Sequence, residues 1–249
     1  MIILTMISLF FLFSSLSYLM AEEYQFESYS TISEIPEPMV FDLVRELGAK
    51  KGEFEINTLL QHEAQNQRLS QLHLSPELEY VVSDGLGIEL ELPMEGSDLL
   101  SYKGAVQKTI GHTHNNTQIH GIQGIAEKFT QHHNPLELTL LYLFGHRLGL
   151  DWSYLLMLGD RYEESKDRDW HRVIANLTFF YTYSSYKEIE FALEQNLLGQ
   201  GSDFDYYRIT PEIHIILHDH WKIQMGIGTI LSDHHWDTSS SIRIIKEFY

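Results

Sequence analysis

Glutamates recur two positions apart along this chain: Glu53 and Glu55, Glu77 and Glu79, Glu89 and Glu91, then Glu188 and Glu190, with Glu194 and Glu212 beyond. Residues two apart on an extended strand share a face, so each pair would set two carboxylates side by side. Bases stand in the same regions, at Lys103, Arg172, Arg208, Lys222 and Arg243. Carboxylates packed into an enclosed interior must pair with such bases or take up protons. Two outcomes stay open on this chemistry: a pathway favouring cations or polar solutes, or a salt-bridged interior with no useful opening.

The 14 histidines offer a second chemistry. His112/His114, His132/His133, His218/His220 and His234/His235 fall in candidate turns, and imidazole suits zinc, copper and nickel. None of these pairs has the i, i+4 spacing of a helical site, and the chain has no cysteine to add a thiolate. Solvated turn histidines are common and explain these pairs without an ion, so a metal is left undetermined and no cofactor is expected. For hydrolysis, a nucleophile must sit beside a positioned histidine. Gly145-His146 near Ser153 is the nearest approach, but no motif supports it, so the chain does not read as an enzyme. The formal net charge of −18, from 17 Lys+Arg against 35 Asp+Glu, repels phosphate backbones and argues against nucleic acid as a partner.

The elements that would position these groups are strands. From Gly52 onward the charged residues alternate with apolar ones: Leu78, Tyr80 and Val82 around Glu79; Ile88, Leu90 and Leu92 around Glu89 and Glu91; Trp221, Ile223, Met225 and Ile227 around Lys222 and Gln224. Such period-two alternation gives each strand one apolar and one polar face. Twelve segments follow the pattern, near 53–62, 74–84, 86–93, 101–111, 117–128, 136–146, 149–159, 170–183, 187–197, 205–217, 221–231 and 239–249. The fifth is irregular, with Ile119, Ile122 and Ile125 at helical spacing, and the sixth and seventh carry leucine on both faces.

The connections alternate too. Short ones (83–85, 147–148, 184–186, 218–220) separate longer polar ones at 62–73, 95–100, 129–135, 160–169, 198–204 and 232–238. Tight turns at one end and long loops at the other are expected of a closed antiparallel β-barrel in the bacterial outer membrane, with the turns and both chain ends toward the periplasm. Trp152, Tyr154, Tyr181, Tyr183 and Trp221 lie at strand ends beside the short turns, where an interfacial aromatic girdle would sit. The chain closes on Phe248 and Tyr249, a terminal aromatic signal for the outer-membrane assembly machinery, which with the surrounding lipid is an expected partner. Lys246 and Glu247 are adjacent, so only one of them can point inward.

Before the strands, residues 1–21 are uncharged and almost wholly apolar, read as a secretory signal with cleavage after Ala21. An uncleaved anchor is the alternative, since about 20 apolar residues span a bilayer. Residues 22–51 form a periplasmic linker containing one short helix: Met39, Val40, Leu43, Val44 and Leu47 have helical spacing, and Gly48 and Gly52 end it. The barrel then occupies 52–249.

Residues Pro76-Glu77-Leu78-Glu79-Tyr80, the turn Ser83-Asp84-Gly85 and the stretch 87–93 resemble the repeated hairpin of outer-membrane proteins of the MetA-pathway (phenol degradation) family, described as transporter-like. Pro211-Glu212-Ile213-His214, leading to Gly226 and Gly228, is similar to a second copy, and 48–57 looks like that family's approach to its first strand. The resemblance implies a membrane barrel, a channel for small organic or polar solutes, and carries over no catalytic residue. The histidine-rich turns and acidic first strands depart from the family's pattern. The expectation is therefore an all-β, closed transmembrane barrel of about twelve strands, passing or binding small solutes. Its alternative is a non-conducting barrel that presents loops such as 160–169.

Overall fold

The computed structural model describes residues 35–249 apart from 42, 65–71, 114–115, 131–134, 165–169, 184–188, 201–202, 219, 233–234 and 249. The strands are β1 (Phe54–Ala64), β2 (Leu72–Ser83), β3 (Leu86–Glu91), β4 (Met94–Glu95), β5 (Asp98–Leu99), β6 (Ser101–Thr113), β7 (Gln118–Phe129), β8 (Leu136–Arg147), β9 (Trp152–Glu163), β10 (Trp170–Thr182), β11 (Ile189–Gln200), β12 (Asp203–Leu217), β13 (Trp221–Ser232) and β14 (His235–Phe248). Neighbours pair antiparallel, and β1 pairs with both β2 and β14, which closes the sheet on itself. The seam runs from Phe54 opposite Phe248 to Ala64 opposite Thr238.

Fourteen segments make twelve staves. Pro93 has no N–H to give the ladder, so β3 stops at Glu91 and pairing resumes with Met94 opposite Leu99. Thus β3 with β4 and β5 with β6 each form one stave of the wall.

The outer surface is apolar and uncovered. Ile110 is 60 % exposed, Leu140 65 % and Ile227 68 %. The inner face buries glutamate, glutamine and arginine. This inside-out arrangement suits lipid outside, where a closed ladder leaves no unpaired backbone group. At the turn end Trp152 packs on Tyr181 at 4.8 Å between ring centroids. Lys246 lies outside, over the Trp221 ring, whereas Glu247 turns inward to Arg45 and Lys222. Tyr102 and Trp236 are exposed near the loop end.

The irregular fifth segment is the strand β7. Ile119 and Ile125 are buried inside while Ile122 is 46 % exposed outside, so a spacing of three straddles the wall. Two of the loops expected to be long are tight: β11 runs to Gln200 opposite Asp203, and β13 to Ser232 opposite His235. Their polar residues extend the hairpins rather than forming loops, because a backbone ladder tolerates polar side chains once it clears the membrane.

The largest correction concerns Met39–Leu47, which is not helical; the described residues contain no helix. The segment lies irregularly inside the barrel, with Met39, Phe41, Leu43, Val44 and Leu47 all buried. Side chains of the wall satisfy its backbone. Val40 and Phe41 donate their N–H groups to Glu194 at 2.9 and 2.7 Å, and Gly48 donates to Thr109 Oγ1 at 2.9 Å. Carbonyls accept in turn, Arg45 O from Gln107 at 2.6 Å and Glu37 O from Gln224 at 3.2 Å. With its polar backbone provided for in this way, the segment has no need of a helical ladder. Its dense apolar residues reflect burial on several sides.

Candidate functional site

The lumen and the segment inside it form the candidate site. Ile35 packs against Ile119 and Gly145 near the turn end of β7 and β8. The chain rises to Met39, beside Gly226 in the middle of β13, and to Val40 and Phe41, held by Glu194 in the middle of β11. It then descends past Gly87, against Val44, and Gly121, against Leu47, to the turn end, where Ala49 O accepts from Gly85 N at 2.8 Å. The plug is therefore a loop whose described ends, Ile35 and Ala49, both lie at the turn end. Gly48 and Gly52 both take φ of +94°, a left-handed conformation that glycine adopts without strain, and so steer the chain into β1.

Four glycines of the wall, Gly87, Gly121, Gly145 and Gly226, face plug side chains closely. A Cβ at Gly121 would lie 2.6 Å from Leu47 Cδ2, and one at Gly226 2.7 Å from Met39 Cε. The missing side chains make room for the plug.

The two sides of the plug meet different walls. Toward β6–β11 it joins an apolar cluster: Phe41, Leu43, Val44 and Leu47 pack with Leu141, Leu143, Leu155, Met157, Ile174 and Phe180. This explains leucine on both faces of β8 and β9, one side toward lipid and the other toward the plug. Toward β1, β2, β13 and β14 the contacts are ionic. Arg45 of the plug binds Glu55 closely, reaches Glu53 at 3.4 Å and Glu247 at 3.7 Å. Arg243 bonds Glu77 at 3.0 Å and Glu79 at 3.2 Å, and lies 3.8 Å from Glu37 of the plug. Lys222 reaches Glu46 of the plug at 3.2 Å. Asn57 joins Glu55 and Glu79 through its amide.

Of the residues singled out by alternation, Glu55, Glu77, Glu79, Glu89, Glu91, Glu190, Glu194, Arg208, Glu212, Lys222 and Arg243 are buried on the inner face. Glu53 stands half-buried just before β1. Lys103 pairs closely with Glu91 toward the loop end, and Arg208 donates to Ser241 at 2.8 Å. Arg172 sits higher, partly exposed, with Glu163 and Asp205 at 3.2 and 3.3 Å. Glu188 lies outside the described residues. Two groups of the lumen are not among the charges that the alternation singles out: the plug's own charges, Glu37, Arg45 and Glu46, and fully buried His214, between Glu212 at 2.9 Å and Glu190 at 3.7 Å. Pro36 and Pro38 were the available signal for the first, since prolines so close disfavour a helix starting there.

Burial opposes the charge on Arg45, but the carboxylates of Glu37, Glu55, Glu79 and Glu46 outweigh it and raise its pKa. Glu46 is pushed up to about 7, mainly by burial, with Lys222 pulling the other way and Glu37 adding to the rise. Above the plug, toward the loop end, a cavity of about 160 Å³ remains, lined by Met39, Leu43, Gln61, Glu77, Lys103 and Arg243 among others. Among the described residues no histidine joins a group of three or more metal-ligating side chains; that group is Glu37, Glu55 and Glu79. His114, His132, His133 and His234 lie outside the described residues.

A model of the HAEPLYID-like family matches residues 32–134, less than half of the chain but all of the plug and the first acidic strands. No curated protein matches the chain. Among solved structures, the COG4313 outer membrane channel from Pseudomonas putida F1 is 13 % identical, with a TM-score of 0.62 over 86 % of this chain and 100 % of that one. The KdgM porin in complex with disordered oligogalacturonate is 13 % identical, with a TM-score of 0.60 over 78 % of this chain and 99 % of that one. The NanC porin is 6 % identical, with a TM-score of 0.59 over 76 % and 98 %. The chain thus has the barrel fold of outer-membrane porins.

Proposed function

We propose that this protein is an outer-membrane channel for small solutes, held closed by its own segment 35–48 and opened by movement of that segment. The observation that carries the reading is the plug's attachment. It is seated by side-chain contacts rather than by strand pairing, so it can leave while the ladder stays closed. The porin fold of its structural neighbours and the polar cavity above the plug support passage of solutes. Nine buried glutamates against four buried Lys and Arg among the described residues favour cations or polar neutral molecules over anions. Within this reading, the hairpin resemblance at 76–93 to phenol-degradation barrels points to small organic or polar solutes. The terminal aromatic residues Phe248 and Tyr249 would serve recognition by the assembly machinery.

The chain has no cysteine, which permits a clean cross-linking test. Ile35 Cβ lies 3.5 Å from where a Cβ at Gly145 would stand, within the range a disulfide needs. In planar bilayers, Ile35→Cys/Gly145→Cys is expected to lose conductance when oxidised and regain it on reduction, because both ends of the plug are then fixed. Equal conductance in both redox states would show that the plug need not move. A second reading, a non-conducting structural barrel, draws on the apolar cluster that fills half of the lumen; silence of the unmodified chain in the same bilayers would favour it.

A further inference from the structure

The plug and the wall bring three carboxylates together. One oxygen from each of Glu37, Glu55 and Glu79 lies within 4.8 Å of the other two, and all three residues are buried. Clustered acids alone would mean little, but two of these residues each have a buried carboxylate oxygen that accepts no hydrogen bond. Glu37 Oε1 accepts from Glu46 N at 2.8 Å, while Glu37 Oε2 accepts no hydrogen bond in a residue only 1 % exposed. Glu79 Oε1 accepts from Asn57 and Arg243 at 2.6 and 3.2 Å, while Glu79 Oε2 accepts none in a residue of 0 % exposure. The nearest guanidinium nitrogens stand off at 3.8 and 4.0 Å. A buried acceptor without a donor costs free energy.

Charge gives an independent argument. Around this point four buried carboxylates, Glu37, Glu55, Glu77 and Glu79, meet two buried guanidiniums, those of Arg45 and Arg243, with the Lys222 ammonium within reach of Glu37 and Glu55. The carboxylates stay in surplus, which leaves a deficit of positive charge. Such a deficit must be met by protons or by a cation.

We propose that Glu37, Glu55 and Glu79 bind one Ca²⁺ ion, which fastens the plug to β1 and β2. All three ligands are hard oxygens, as this ion requires. Carboxylate oxygens within 4.8 Å of one another can share one ion. Mg²⁺ usually keeps several waters and is held by one or two carboxylates, so three carboxylates in a buried site suit Ca²⁺. Because Glu37 belongs to the plug and the other two to the wall, the ion would bridge the movable and fixed parts of the lumen.

The test is titration calorimetry on the full chain in detergent after stripping with EDTA, using CaCl₂ and MgCl₂ as the probes. One Ca²⁺ site is expected, with Mg²⁺ weaker by at least about tenfold. Glu37→Gln and Glu79→Gln should each lose the Ca²⁺ heat, and Glu163→Gln on the rim should keep it. Glu37 takes no part in the strand ladder, so Glu37→Gln remains informative even if Glu79→Gln fails to fold. No Ca²⁺ heat up to about 10 mM, or binding that survives Glu37→Gln, overturns the assignment; in the first case protons fill the deficit. The calorimetry does not depend on conduction, so this proposal and the channel reading fail separately.

Discussion

Glu46 shows how one side chain can tie the plug to solution conditions. It faces Lys222 from β13, with Glu37 alongside and Glu190 on β11 adding to the field. Its carboxyl titrates near 7 in the folded chain against 4.5 when free. The folded state therefore holds this proton more firmly than the unfolded state does. That contribution to stability is complete below about 4.5 and is lost as pH climbs to about 7. Melting temperature in detergent is expected to fall across that interval, and Glu46→Gln should flatten the fall, since glutamine cannot ionise. A variant with the same slope as the parent would place the titration elsewhere. Charge placement at this scale was partly legible: the glutamate pairs announced an acidic face, and closure of the barrel sets the last strand, with Arg243, beside the acidic first strands, whereas Arg45 lies outside the strands and its place among Glu53, Glu55 and Glu247 could not be read from their spacing.

At the scale of elements, the strands were readable and the plug was not. Strand residues are sorted by a two-fold period that survives in one dimension, so β7 could be placed even with Ile119, Ile122 and Ile125 at misleading spacing. The plug has no period of its own. Its residues are apolar on whichever side meets β6–β11 and charged on whichever meets Arg243 and Lys222, and that surface exists only after the barrel closes. Its one advance trace in the wall is the set of glycines at inward positions. Gly121 tests this fit. Gly121→Leu would thrust a side chain into Leu47, already 2.6 Å from a Cβ at that site, at a cost of about 1–3 kcal/mol. The barrel ladder does not depend on that contact, so the expected result is an intact, heat-modifiable barrel whose plug is cut faster by added protease. Unchanged proteolysis would mean that the lumen accommodates the extra volume.

For the whole molecule, the closed ladder and the plug are separable. No backbone hydrogen bond of the β1–β14 seam involves residues 35–48. A chain lacking 35–48 is expected to fold as a barrel in detergent, melt at a lower temperature because Leu141, Leu143, Leu155 and Met157 become wetted, and conduct strongly. Its reversal potential in a KCl gradient should show cation preference, because the wall retains its acidic surplus. Anion preference would contradict the electrostatic reading of the lumen.

The path of the plug has a topological meaning. Since Ile35 and Ala49 both lie at the turn end, the segment resembles a bight of rope pushed into a pipe, not a cord threaded through it. Withdrawal can be repeated without opening the seam, and whatever tugs on it must reach it from the turn side, the face opposite the cavity where a solute would first arrive.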